Sequence, residues 1–161
     1  MLLPSEQKKK YEMASGETSQ PLSSTDRIIK QISEANIQNS QNDIVLDSQE
    51  LKVLSTNREK SFAGMGEYVG QNAVEEALNL AISNTGLSVS AMKEVREVVV
   101  HFTLCPDITM SEIAEGIEIV HESVHADAEI FWGTVRNEWL KQYYAKVMIV
   151  LILKNTQVRD R

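Results

Sequence analysis

Ser61-Phe62-Ala63-Gly64-Met65-Gly66-Glu67-Tyr68-Val69-Gly70-Gln71-Asn72-Ala73-Val74-Glu75-Glu76-Ala77-Leu78-Asn79-Leu80-Ala81-Ile82-Ser83 is the stretch that decides how this chain reads. Its first part, residues 61 to 67, is a short apolar strand pattern broken by two glycines. Residues 71 to 83 then carry alanine and glutamate at helical spacing. A glycine inside a strand marks a bulge or a close backbone contact more often than a binding loop. Gly64, Gly66, Gly70 and, further on, Gly133 are therefore read as structural.

Working outward, strand patterns recur at 96 to 103, 128 to 134 and 143 to 153, with a second helical pattern at 110 to 125. In that helix Ile113, Ile117, Val120 and Val124 form one apolar stripe, and Thr109 with Glu112 has the spacing of a capping box. The run Val147 to Leu153 is too short for a membrane span and reads as a central strand buried on both faces. Four strands with two covering helices predict an α/β (α+β) fold, a two-layer sandwich on a mixed sheet. Upstream, Ile28, Ile32 and Ala35 share a helical face, with Ser24 or Thr25 available as N-cap. The predicted organisation is a loosely packed segment over 1–24, a helix, loop and short helix over 25–59, the sandwich over 60–155, and a polar tail over 156–161.

The pattern of residues 64 to 83 resembles the C-terminal half of the bacterial tubulin homologue FtsZ. Val98 to Thr103, the Pro106-Asp107-Ile108-Thr109 turn, the helix from Met110 and Asp127 to Thr134 follow in that family's order, so the resemblance covers about residues 60 to 150. It implies that the 25–35 helix corresponds to the family's central helix and that residues 38 to 43 lie where the family's loop reaches into the next subunit. What the family would add is a glycine run that wraps backbone N–H groups around phosphates at a helix N-terminus. The seven glycines here, at 16, 64, 66, 70, 86, 116 and 133, are scattered. The isolated chain is accordingly expected to bind no GTP and to need no cofactor.

The resemblance also implies a candidate site. The family carries Asn-x-Asp-x-x-Asp after its central helix, and those carboxylates complete the GTPase site of the neighbouring subunit. Here the matching residues are Val45-Leu46-Asp47-Ser48-Gln49-Glu50. Asp47 and Glu50 keep the acids, acting in trans if at all, while Val45 replaces the hydrogen-bonding asparagine. The same Asp-x-x-Glu spacing is equally a helix capping box. A different chemistry is suggested by His121-Glu122-Ser123-Val124-His125, which satisfies the H-E-x-x-H pattern of zinc peptidases. It lacks an evident third ligand, since the remaining histidine, His101, lies in a strand pattern. No metal is expected.

A net charge of −7 with a single short basic cluster, Lys8-Lys9-Lys10, argues against nucleic acid or an anionic membrane as partner. One cysteine, Cys105, excludes an internal disulfide, suits a reducing cytoplasm and reads as buried filler. Met1-Leu2-Leu3 is too short for the apolar part of a signal peptide. The expected function is contact with an FtsZ-type protein or with its own homologue, in the cytoplasm, without catalysis by the isolated chain. The alternatives are part of an FtsZ-type GTPase whose nucleotide half lies upstream, and a zinc peptidase.

Overall fold

The computed structural model describes residues 24–37, 43–56 and 60–153. The readings of residues 1–23, of most of the 38–43 loop and of the 156–161 tail lie outside the described residues. In chain order the elements are α1 (Ser24–Ile37), α2 (Ser48–Thr56), β1 (Ser61–Val69), α3 (Ala73–Asn84), α4 (Val89–Met92), β2 (Val95–Leu104), α5 (Met110–Ser123), β3 (Glu129–Arg136) and β4 (Tyr144–Leu153). The strands form one mixed sheet in the order β1-β4-β2-β3. β4 runs antiparallel to both β1 and β2, while β2 and β3 are parallel. A parallel pair cannot be joined by a hairpin, and α5 is the crossover between them.

The apolar run of β4 follows from its place between β1 and β2. Val147, Ile149 and Leu151 enter the core beneath α3 and α5, while Met148, Val150 and Ile152 enter a second core on the opposite face. That second core is closed by Ile28, Ile29 and Ile32 of α1 and by Leu54 of α2. The helix expected ahead of the sandwich therefore packs on the sheet itself, because central strands with apolar residues on both faces need covering on both. Its first helical residue is Ser24, so Ser24 and Thr25 lie inside the helix rather than at its N-cap.

The glycines and alanines of residues 61 to 83 bring a strand and a helix into backbone contact. A side chain at Gly64 would place its Cβ 2.0 Å from the carbonyl oxygen of Ala81, and one at Gly66 would lie 2.3 Å from that of Ala77. Ala73, Ala77 and Ala81 form the buried stripe of α3, so two glycines on the strand and alanines on the helix let the two backbones meet. On α5 the Thr109/Glu112 capping box forms as predicted. The buried stripe differs in one position: Ile113, Gly116 and Val120 face the core, while Ile117 is half-buried at its margin. Val124 is buried but follows the helix in extended conformation. Trp132 stacks edge-on against Phe102, with ring centroids 6.3 Å apart, and Cys105 is buried. Trp139, by contrast, is 80% exposed.

Candidate functional site

The segment from Asp43 to Asp47 runs along the outer edge of β3 and delivers the candidate acids to the surface. Two polar residues hold it. Thr134 on β3 donates its backbone N–H to the Ile44 carbonyl at 2.8 Å, and its hydroxyl accepts from the Ile44 N–H at 3.0 Å. Asn36, in the last turn of α1, donates through Nδ2 to the Leu46 carbonyl and accepts the Leu46 N–H on Oδ1, both at 2.9 Å. Buried Leu46 drives the segment inward. Gly133 leaves room for it, since a Cβ there would lie 3.0 Å from the Ile44 oxygen and 3.2 Å from Leu46 Cγ.

Just beyond these clamps, Asp47 and Glu50 form a reciprocal cap at the start of α2. The Glu50 N–H donates to Asp47 Oδ1 at 2.8 Å, and the Asp47 N–H donates to Glu50 Oε1 at 2.9 Å. Such a cap contributes about 1 kcal/mol to the helix. It engages one oxygen of each carboxylate. Asp47 is exposed and Glu50 half-buried, so the structure brings the two predicted residues together at a surface corner. Val45, beside them, is 50% exposed and offers no polar atom from its side chain. The corner can accept hydrogen bonds from, or orient, a group brought by another molecule.

Beneath the segment lies His101, fully buried on β2. Neither ring nitrogen has a hydrogen-bond partner among the described residues. Burial pushes its pKa down to about 4, against a raising influence from Asp43, while Lys146 adds to the lowering. Asn36, Thr134 and His101 were not singled out from the sequence as parts of this site. The available signal was weak: Asn36 continues the Ile28–Ile32 stripe at the next i+4 position, and His101 interrupts an otherwise apolar strand.

The histidine pair does not make a metal centre. His121 lies exposed in the last turn of α5, but the helix ends at Ser123. His125 falls beyond it and accepts the Asp127 N–H on Nδ1 at 2.9 Å. The i,i+4 helical geometry required by H-E-x-x-H is thus lost. His101 occupies the opposite face of the sheet from α5, because its neighbours Val100 and Phe102 are the residues that face that helix's core. No group of three or more possible ligands occurs among the described residues. The peptidase reading has no structural support.

The four-stranded mixed sheet, its β2-α5-β3 crossover and the second helical layer define an α/β domain with a capped loop at one edge. A profile described as the FtsZ family, C-terminal domain, matches residues 60–153, and the chain belongs to that family. It is 35% identical over 72 residues to the cell division protein FtsZ 2 of Pyrococcus furiosus, covering 45% of this chain and 17% of that protein. It is 33% identical over 99 residues to the cell division protein FtsZ of Rickettsia bellii, covering 61% and 22%. An empty FtsZ dimer from M. jannaschii matches with a TM-score of 0.62 at 19% identity, over 92% of this chain and 44% of that one. CetZ from Methanosaeta thermophila matches at 0.53 and 18% identity, over 83% and 37%. These structural likenesses show the fold. The chain spans only 17% and 22% of the two curated relatives' lengths. Among the described residues no helix is long and apolar enough to cross a membrane.

Proposed function

We propose that this protein acts in cell division through contact with an FtsZ-type partner subunit, presenting Asp47 and Glu50 to the partner's nucleotide face while binding no GTP itself. The observation that carries this reading is the corner at the start of α2. It holds two carboxylates at the surface on a segment clamped from α1 and from β3. A flexible loop would lose conformational freedom on binding, whereas a clamped one is already ordered. Val45 provides no hydrogen bond for a water or phosphate, so the chain would occupy the partner's face without fully supporting water attack. The expected effect is lower GTP turnover or shorter filaments.

The test is to add the purified chain in increasing excess to an intact FtsZ-type protein from the same cell and to follow phosphate release and filament length. The double change Asp47→Asn with Glu50→Gln should abolish the effect. Turnover and filaments untouched by a large excess would sink the reading. Titration with a fluorescent guanine nucleotide should show no binding to the chain alone, and a micromolar site would overturn that part.

A second reading is favoured by the small share of the curated relatives' length that the chain spans. In it, the domain is the C-terminal half of a longer FtsZ-type GTPase, and the same corner serves a neighbouring copy. The coding sequence immediately upstream distinguishes the two: an in-frame glycine-rich nucleotide loop supports the second reading.

A further inference from the structure

The segment carrying Ile44 and Leu46 closes over a buried, unpaired base. His101, Gly133, Ile44 and Leu46 converge at one point: a Cβ on Gly133 would lie 3.5 Å from His101 Cδ2, as well as against the Ile44 oxygen and Leu46 Cγ. His101 pairs in register with Gly133 on β3 and with Met148 on β4, so neither flanking strand offers the ring a polar side chain at its own level. The imidazole is wholly buried and neither nitrogen finds a partner among the described residues. A neutral ring bears this at a modest cost, whereas an unpaired imidazolium in such a place is strongly disfavoured.

We propose that His101 is a proton-operated latch, whose neutral ring permits the Asp43–Asp47 segment to lie closed on the sheet and whose protonation releases it. The segment is the part of the roof with the least to lose. It is tied down by hydrogen bonds to Thr134 at the β3 edge and to Asn36 of α1, while the floor consists of the central strands β2 and β4. Local opening draws on the least protected structure first.

The charged groups facing this region decide the sign. Asp43, on the segment itself, favours the imidazolium; Lys146 on β4 disfavours it; and burial outweighs both. Glu97 lies on the same face of β2, four residues back and beside Ile152 rather than Met148. Phe131 of β3, Ile32 and Asn36 of α1 and Leu54 of α2, which also line this face, are uncharged, and Glu129 lies at the far end of β3, paired with Glu97. With the closed-state pKa lowered to about 4 from 6.5, the closed state loses stability as pH falls below 6.5 and loses all of this contribution near 4. From pH 7 to pH 5 the opening equilibrium should rise about twentyfold. The inference concerns closure of the segment and stands whether or not Asp47 and Glu50 act on a partner.

Hydrogen exchange on the whole chain tests it, with rates corrected for the intrinsic effect of pH on amide chemistry. The Ile44 and Leu46 amides should lose about twentyfold in protection between pH 7 and pH 5, while the β4 amides of Ile149 and Val150 change little. His101→Leu should remove the pH response. Should that variant fail to fold, NMR titration of the ring in the unaltered chain decides. A ring pKa well below 6.5, with loss of Leu46 protection tracking protonation, supports the latch; a ring titrating at 6.5 or above with the segment still protected overturns it. Equal pH response in His101→Leu overturns it too, as does loss of β4 and segment protection in step.

Discussion

The two faces of the sheet are built on different terms. Under α3 and α5 the contact is apolar and very close: Gly64 and Gly66 meet the backbone of α3, and Val98, Val100, Phe102, Val147, Ile149 and Leu151 fill the space with no polar side chain among them. Under α1 and the Asp43–Asp47 segment, the opposite face presents a core interrupted by His101 of β2, with the buried polar side chains of Asn36 on α1 and Thr134 at the β3 edge beside it. The first face loses most if its shape changes. The second gives up some apolar burial to fix a loop in place, and that loop leads to Asp47 and Glu50 at the surface. Stability and presentation of a surface are divided between the two sides of one sheet.

Breaking the first face should have the largest effect. Gly64→Val forces a side chain into the Ala81 carbonyl, and only movement of α3 can relieve it. A loss of about 3 kcal/mol or more is expected in urea or thermal unfolding. Ile113→Asp, which puts an unpaired charge in the same core, should also abolish cooperative melting. Ile117→Asp sharpens the comparison. At the half-buried margin its cost should be clearly smaller, and equal damage from the two aspartates would mean the helix is rotated from the position described.

On the second face, Asn36→Leu removes both partners of Leu46 and leaves its N–H and carbonyl without their protein bonds. A cost of roughly 2 kcal/mol is expected, with loss of amide protection confined to the segment and the start of α2. Unchanged protection at Leu46 would show that Thr134 alone holds the loop. The smallest effect belongs to Asp47→Asn with Glu50→Gln. Asparagine still caps well, so the change should stay within about 0.5 kcal/mol, even where it alters a partner's turnover. A large loss of stability would mark the pair as chiefly structural.

Much of the first face was legible in the sequence because it rests on local repetition. The alanine spacing of α3, the apolar runs of the strands and the Thr109/Glu112 box are each local patterns that belong to one kind of element. Asp47 and Glu50 were legible in the same way, as a three-residue spacing ahead of Leu51. The second face was not. Asn36 and Leu46 are ten residues apart, and Ile44 and Thr134 ninety, so no periodicity joins them. The histidine pair shows the converse: its spacing suited a metal site, but the helix ended at Ser123, and His125 spends a ring nitrogen on the Asp127 N–H.

The sequence by itself determined the four strands and every helix except the short α4, the β4 run that had to lie inside, and the family to which residues 60 to 153 belong. Each follows from side-chain chemistry repeated over short distances, where burying apolar surface selects one periodicity. Only the tertiary structure decided that α1 covers the second face, that Asn36 and Thr134 clamp the loop bearing Asp47 and Glu50, and that His101 lies sealed beneath it. Those outcomes depend on which strands become neighbours. Hydrogen-bonding needs and desolvation act on groups brought together across the sheet, and the spacing of residues along the chain does not record them.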